Sequence, residues 1–166
     1  PADQSHPVPI LSRITIFPVK SLDPMTLSTV MITPGGSLEH DREFAIVDRS
    51  GNFVNGKRNH SVHRIRSDID FESALITLSL EGSANTGTFH VVNDRQQIEK
   101  WLATNLGVDV KLQRNVHSGY PDDRHAWGPT IVSTSTIDEV ASWFPTLTPD
   151  DIRGRFRPNL EIGGVP

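Results

Sequence analysis

The chain has 166 residues, a formal net charge of -4 at pH 7, and 36% hydrophobic and 22% charged residues, which suits one sizeable globular domain or one domain plus part of another. The negative charge gives no general attraction to nucleic acid, and no apolar run approaches the roughly 18 residues that a membrane-spanning helix needs. Because the sequence contains no Cys, disulfides, thiolate metal sites and Cys nucleophiles are excluded from this chain.

The first part of the chain has the pattern of short antiparallel strands. Residues 1–10 lack the basic start and apolar core of a signal peptide, and their prolines predict a flexible tail. Over residues 11–115, strand patterns such as REFAIVD and VHRIRSDIDF alternate with turn clusters such as TPGGS and EGSANTG. Asp94 and Gln97 form a capping-box pattern before a helix that Gly107 ends. We therefore predict a β-barrel-like domain with a packed helix over residues 11–115.

The pattern changes after a polar loop or junction at residues 116–129. A strand in PTIVS precedes a helix for which Ser135 is the predicted cap, and Thr148 with Asp151 forms a capping box around Pro149 at the first helical position. The last strand pattern, LEIG, has no visible partner, so we expect a poorly supported or artificially paired chain end. Residues 130–166 are interpreted as the incomplete beginning of a second β-rich domain. The predicted fold class is α+β, mainly antiparallel β.

One local match to a nucleotide-binding motif is rejected. GNFVNGKR has the G-x-x-x-x-G-K spacing of a phosphate loop, but Arg58 stands where the Ser or Thr should bind magnesium. The following residues read as a strand rather than as the helix such a loop requires. Gly51 is better explained as the turn of a hairpin.

The stretch from Lys57 to Arg66 has a local excess of positive charge. It reads either as a solvated strand face or as an anion or partner patch, and its certain cations are Lys57, Arg58, Arg64 and Arg66. His60 and His63 would lie on opposite faces of a strand, so we predict no metal site there.

Two further segments present donors where strands meet loops. In FPVKSLD, Pro18 fixes the backbone so that Lys20 and Ser21 are offered at a strand end, a pair that suits a phosphate or carboxylate. In HDREF, Arg42 lies at a strand rim and reads either as a surface partner of Asp41 or as a guanidinium fork for an oxyanion.

A last pair of donors surrounds a proline near the end of the chain. In RFRPN, Arg157 precedes proline and is therefore predicted to be extended. Asn159, two residues on along a strand, would point to the same side.

Taken in order, IFPVKSLD, HDREFAIVD, GNFVNGKRN, GPTIVSTSTI and RFRPNLEIGG resemble the MOSC-domain proteins that carry an N-terminal β-barrel extension. The likeness runs from about Leu11 to the end and is in the style of the bacterial members. More distantly, the chain is similar to the mitochondrial amidoxime reducing component and to the C-terminal part of eukaryotic molybdenum cofactor sulfurase.

The resemblance implies a molybdenum cofactor, which is a pterin that carries a phosphate and a dithiolene-bound metal. The family positions that contact this cofactor match seven residues here: Lys20, Ser21, Arg42, Ser133, Thr134, Arg157 and Asn159. No metal ligand from this chain is expected.

The family's reactive residue is a Cys in its C-terminal half, and this chain has none. The resemblance therefore implies either a fragment truncated before the catalytic Cys or a derivative that has lost the chemistry. On the fragment interpretation, the parent is a cytoplasmic oxidoreductase acting on N-hydroxylated compounds, or a sulfur carrier. Its partners would be the missing C-terminal MOSC half and an electron-transfer protein, and this piece alone would be inert. The alternatives are a non-catalytic β-barrel binding module, or pyridoxal phosphate binding through Lys20.

Overall fold

The computed structural model describes residues 8–123 and 126–165, so the predicted tail falls outside the described residues except for its last three positions. Within those ranges nine strands and three α-helices form. The strands are β1 (Ile10–Ile16), β2 (Met25–Leu27), β3 (Phe44–Asp48), β4 (Ile65–Asp70), β5 (Leu75–Leu80), β6 (Thr86–His90), β7 (Val110–Arg114), β8 (Ile131–Ser133) and β9 (Leu160–Gly163). The helices are α1 (Arg95–Leu106), α2 (Thr134–Ser142) and α3 (Pro149–Phe156), and a short 3-10 helix spans His60–Arg64.

The strands hydrogen-bond as three sheets, and the predicted fold class, α+β and mainly antiparallel β, is confirmed. The sheets have the orders β2-β1-β9-β8, β3-β7 and β4-β5-β6. Every pairing is antiparallel except that of β8 with β9. The proposed domain boundaries stay predictions.

The largest apolar core lies between the two- and three-stranded sheets and α1. In α1, Ile98, Leu102 and Leu106 recur every four residues and are all buried, which is the spacing of a helix that packs one apolar face on a core. Gly107 ends it in the left-handed conformation with φ of 69°. A hairpin turn at Gly51 is also confirmed, because φ is 79° there and Val47 bridges Phe53.

One predicted helix cap is wrong, and another is right in its position but not in its bond. Asp94 is the N-cap residue of α1, as predicted, but its carboxylate makes no side-chain cap and accepts instead from the His90 N–H at 2.8 Å. At α2 the cap is Ser133 rather than Ser135, since Ser133 is the last extended residue of β8 and its Oγ accepts from the Thr136 N–H at 3.1 Å. The capping box predicted for α3 is present.

The basic stretch was predicted to be one strand, and this prediction is wrong. After a turn, Asn59 caps the 3-10 helix by accepting from the Ser61 N–H, and β4 begins only at Ile65. A side-chain acceptor two residues before a donor favours this tight turn over an extended start.

The last strand is well supported, so the expectation of an unsupported chain end is wrong. β9 lies in the middle of its sheet, antiparallel to β1 and parallel to β8. Leu11 faces Ile162 and Ile14 faces Leu160 in this register. The strand pattern of LEIG predicted pairing, but a partner about 150 residues away leaves no local signal. This pairing brings RFRPN beside the end of β1.

In the described part of the chain, no helix combines the length and apolar character needed to cross a membrane.

Candidate functional site

The segments FPVKS and HDREF are held together by backbone hydrogen bonds. The Arg42 N–H donates to the Phe17 carbonyl at 2.8 Å, and the Lys20 N–H donates to the Phe44 carbonyl at 2.8 Å. The carboxylate of Asp41 adds a third link, because its Oδ1 accepts from the Phe17 N–H at 2.9 Å. The two motifs therefore form one rigid unit.

Arg42 is fixed over the ring of Phe17. Its backbone is left-handed, with φ of 51°, and its guanidinium carbon lies 4.8 Å from the ring centroid. Nη1 donates to Asp41 Oδ2 at 2.5 Å and to Asn159 Oδ1 at 3.4 Å. Asp41 is buried, so the surface pair considered from the sequence is instead an internal one.

Arg157 approaches the same ring. Its guanidinium carbon lies 3.9 Å from the Phe17 centroid, and Nη2 donates to the Leu22 carbonyl at 2.8 Å. The prediction of an extended Arg157 is wrong, because this residue ends α3 in the left-handed conformation, with φ of 53° and ψ of 48°. Pro158 disfavours the right-handed region at Arg157, and the helix exit then requires a left-handed turn.

Arg157 makes no ion pair within the part of the chain that the structure describes. Among the described residues, no carboxylate oxygen lies within 4.0 Å of its nitrogens. Burial, followed by the positive charge of Arg42, lowers the pKa of Arg157 to about 10. A guanidinium in this condition gains from any anion that reaches it.

Asn159 is buried and its amide is engaged within the protein. Oδ1 accepts from the N–H and hydroxyl of Thr130, both at 3.1 Å, and Nδ2 donates to the Thr15 carbonyl at 3.0 Å. Arg157 and Asn159 were predicted to share one face of a strand. This prediction is wrong, because β9 begins only at Leu160. The structure gives Asn159 a positioning role beside Arg42.

Lys20 is buried and faces the loop that follows β7. Its Nζ donates to Asp122 Oδ1 at 2.5 Å and to the Tyr120 carbonyl at 3.0 Å, and it lies 5.0 Å from the Phe53 centroid. Pyridoxal phosphate binding through this amine stays a prediction. Ser21 has a left-handed backbone, with φ of 74°, and lines a cavity that Lys20 does not line.

Asp122 lies in the field of three cations. Desolvation of its carboxyl end would raise the pKa, but the hydrogen bond and charge of Lys20, with the charges of Arg42 and Arg157, outweigh it and lower the pKa. The side chain as a whole is 85% exposed. Lys20 thus holds the Asp122 carboxylate directly, and the charges of Arg42 and Arg157 act on it from farther away. From the sequence, Asp122 is visible only as one of two neighbouring carboxylates in a polar loop.

A cleft of about 450 Å³ lies on the other side of Arg157. Three of the seven predicted cofactor contacts line it, namely Ser21, Arg157 and Asn159. Phe17 and Leu22 contribute apolar surface to the same cleft. A cleft with both an apolar floor and a cationic edge suits a planar ring system that carries an anionic group.

Ser133 and Thr134 do not line this cleft. The Ser133 hydroxyl caps α2, and the Thr134 hydroxyl is buried with no partner at normal hydrogen-bond distance. It is nevertheless close enough to Glu161 to contribute, after Arg153, to lowering the pKa of that carboxyl. Their predicted contact with a cofactor stays a prediction.

The four cations of the predicted basic patch do not line one common cavity, and their role as an anion or partner patch stays a prediction. Arg64 and Arg66 both donate to Glu81. Arg66 lines the cleft but pairs with Asp23 at 2.7 Å and Glu81 at 3.0 Å. Arg58 lines a second cavity beside Phe53 and Tyr120. Lys57 and Arg64 line neither cavity.

Over the ranges 8–123 and 126–165, no group of three or more His, Cys, Asp or Glu side chains is arranged to hold a metal ion.

The sequence matches a known domain family and known longer proteins. The model of the MOSC N-terminal beta barrel domain matches residues 8–150. Molybdenum cofactor sulfurase 1 of Aedes aegypti is 35% identical over 82 residues, which cover 49% of this chain and 11% of that protein. Molybdenum cofactor sulfurase of Anopheles gambiae is 33% identical over 96 residues, covering 51% of this chain and 12% of that protein. The chain therefore spans about a tenth of the length of these relatives.

Proposed function

This chain belongs to the family of MOSC N-terminal beta barrel domains, and on that premise we propose that it supplies the wall of a molybdenum-cofactor site that holds the cofactor phosphate. Lys20, Arg42 and Arg157 would contact the phosphate. Ser21 would contribute a hydroxyl from the adjoining cleft.

The observation that carries the proposal is the carboxylate of Asp122, which pairs with Lys20 and is influenced by the charges of Arg42 and Arg157. A carboxylate stands in for a phosphate oxygen, because both are anionic acceptors of charge-assisted hydrogen bonds. Lys20 already donates to it at 2.5 Å, and the charges of Arg42 and Arg157 stabilise its ionised form. The donor set therefore fits an anionic group on these residue types alone.

Arg157 provides the strongest unsatisfied interaction. Among the described residues this partly buried cation has no carboxylate within 4.0 Å, and burial together with the charge of Arg42 lowers its pKa to about 10. A phosphate would offset the burial of Arg157 and its repulsion by Arg42. Two guanidinium groups on one aromatic ring provide rigid, planar donors of the kind that bind phosphate in a bidentate manner.

Around the proposed phosphate site, the other residues of the chain would orient the cofactor and would not react with it. The cleft beside Arg157 would receive part of the pterin, and Asp41 and Asn159 would keep Arg42 in place. Contacts from Ser133 and Thr134 to the pterin edge belong to this proposal. When bound, the cofactor supplies a metal for redox or sulfur-transfer chemistry, and this chain supplies no Cys to it.

The wider biological role follows from the family. We propose that the longer protein is an oxidoreductase for N-hydroxylated compounds or a sulfur carrier, working in the cytoplasm. Its C-terminal MOSC half would complete the site, and an electron-transfer protein would serve the oxidoreductase. The names of the similar proteins favour molybdenum cofactor sulfuration.

Calorimetric titration of the chain with inorganic phosphate tests the phosphate site. Arg157→Gln should weaken phosphate binding about tenfold or more, because a charge-assisted hydrogen bond to phosphate is lost. Arg155→Gln is the matched control, since Arg155 is an exposed residue of the same helix and should bind as the wild type does. Cofactor released from a denatured molybdoenzyme should compete with phosphate for the wild-type chain.

Failure of the wild-type chain to bind phosphate would refute the proposal. Equal affinities in Arg157→Gln and Arg155→Gln would refute the assignment of Arg157. Phosphate binding that the released cofactor does not displace would leave an anion site that is unrelated to the cofactor.

A further inference from the structure

Resting on the proposed phosphate site, we infer that Asp122 is a specificity-determining residue: its carboxylate occupies the anion position, and only a ligand with two negative charges displaces it. The residue belongs to the loop after β7. Asp122 is not one of the seven residues for which the family resemblance implies a cofactor contact.

The loop is built to deliver Asp122 to Lys20. The Tyr120 N–H donates to the Arg42 carbonyl at 2.9 Å, which fixes the loop against the anion-binding motif. Gly119 permits this approach, because φ is 62° there and an added Cβ would lie 2.3 Å from the Asp41 carbonyl oxygen. Two residues after this anchor, the Asp122 carboxylate reaches Lys20.

Lys20 needs an anion and Asp122 is free to leave. A buried ammonium requires a charged or strongly polar partner, and Lys20 is only 7% exposed. The side chain of Asp122 is 85% exposed, so rotating it into water removes no packing. An incoming anion therefore exchanges one partner of Lys20 for another.

The charge balance selects the ligand. The cations Lys20, Arg42 and Arg157 face two carboxylates, because Asp41 pairs with Arg42 and Asp122 pairs with Lys20. One positive charge remains while Asp122 is in place, and two remain once it has left. A dianionic phosphate neutralises both, whereas a monoanion only repeats what Asp122 already provides.

Asp23 also faces Arg157, but it pairs with Arg66 at 2.7 Å, and Arg66 has a second partner in Glu81. Asp23 is therefore already paired, whereas Asp122 is the acid that holds Lys20.

The variant Asp122→Asn tests the inference against the control Asp109→Asn. Asp109 pairs with Arg49 on the surface at the same 2.5 Å and is 63% exposed, so the control makes the same chemical change away from the site. Titrations with inorganic phosphate and with acetate at about pH 8, where phosphate is mostly doubly charged, give the affinities. Asp122→Asn should bind phosphate about tenfold more tightly and acetate measurably, since no internal anion competes.

A second measurement needs no added ligand. The chain has four lysines, at positions 20, 57, 100 and 111, so selective ¹³C labelling of lysine gives a simple spectrum. Asp122→Asn should shift the Cε resonance of Lys20 alone, and Asp109→Asn should leave it unchanged. Phosphate added to the wild type should move the same resonance.

The outcomes separate the two proposals. An unshifted Lys20 resonance in Asp122→Asn, or phosphate affinity equal to or below that of the wild type, overturns the inference while phosphate binding by the wild type still supports the proposed site. Absence of phosphate binding in both the wild type and Asp122→Asn overturns the proposed site, and the inference falls with it.

Discussion

At the residue scale, Asp41 fixes Arg42, one of the cations of the proposed phosphate site. One oxygen of its carboxylate accepts from the Phe17 N–H at 2.9 Å and the other from Arg42 Nη1 at 2.5 Å. The residue is buried, so neither partner has water as an alternative. Asp41 therefore both positions Arg42 and balances its charge.

We expect Asp41→Asn to lower the free energy of unfolding by about 2 kcal/mol or more, because the amide cannot serve both donors and the Arg42 charge loses its buried partner. Urea denaturation measures this loss. Asp109→Asn, which removes an exposed ion pair, should cost no more than about 1 kcal/mol. Equal losses in the two variants would show that Asp41 stabilises the fold no more than an exposed ion pair does.

The chemistry of the site could be predicted from the sequence better than its geometry. Lys20, Arg42 and Arg157 were identifiable because each follows a local signal, either a strand end or a proline. The left-handed backbone at Arg157 was missed, since the exclusion of the right-handed region before proline leaves more than one alternative. Asp122 and Phe17 were missed because their roles depend on contacts across the fold.

At the element scale, α3 carries Arg157 to the site from its C-terminus. The helix has only eight residues, so its end groups matter more than its interior. Thr148 and Asp151 form a reciprocal capping box at its start, with the Thr148 N–H donating to Asp151 Oδ2 at 2.7 Å. A frayed first turn would loosen the turn that holds Arg157.

Thr148→Ala should lower the free energy of unfolding by about 1 kcal/mol, since the first turn loses its cap. The exposed Thr146, two residues earlier, supplies the control Thr146→Ala, for which we expect no change beyond about 0.5 kcal/mol. Thermal unfolding followed by circular dichroism measures both. Should Thr146→Ala prove as damaging as Thr148→Ala, the cap would not be the cause.

Sequence patterns predicted elements well where the signal is local and poorly where neighbours compete. The capping box of α3 and the end of α1 at Gly107 are confirmed. In the Ser133–Thr134–Ser135 run several hydroxyls could cap a helix, and only the length of β8 decides between them. The partner of β9 is set by the packing of the whole chain, which no local pattern contains.

At the scale of the whole molecule, charge is distributed unevenly. The net charge is -4, but the charges of Lys20, Arg42 and Arg157 all act on Asp122, while several acids are held elsewhere in hydrogen-bonded positions. Asp48, Asp70, Asp151 and Glu161 all have lowered pKa values. The folded state is therefore stabilised by ionised carboxylates that the unfolded chain leaves in water.

Glu161 is the most buried of these four acids and lies on the inner strand β9. Arg153 donates to both of its carboxylate oxygens at 2.7 Å. The hydrogen bonds from Arg153 lower the pKa of Glu161 below its ordinary 4.5. The unfolded chain then takes up a proton before the folded chain does. The resulting stability is present above about pH 4.5 and is lost as the pH falls through the lowered pKa.

We therefore expect the free energy of unfolding of the wild type to fall steeply between about pH 5 and about pH 3, and that of Glu161→Gln to fall less steeply, since the amide takes up no proton. Urea denaturation at a series of pH values measures both slopes. The remaining slope in Glu161→Gln reports the exposed aspartates with lowered pKa values. If Glu161→Gln and the wild type lose stability in parallel, the ion pair with Arg153 does not govern the acid sensitivity of the fold.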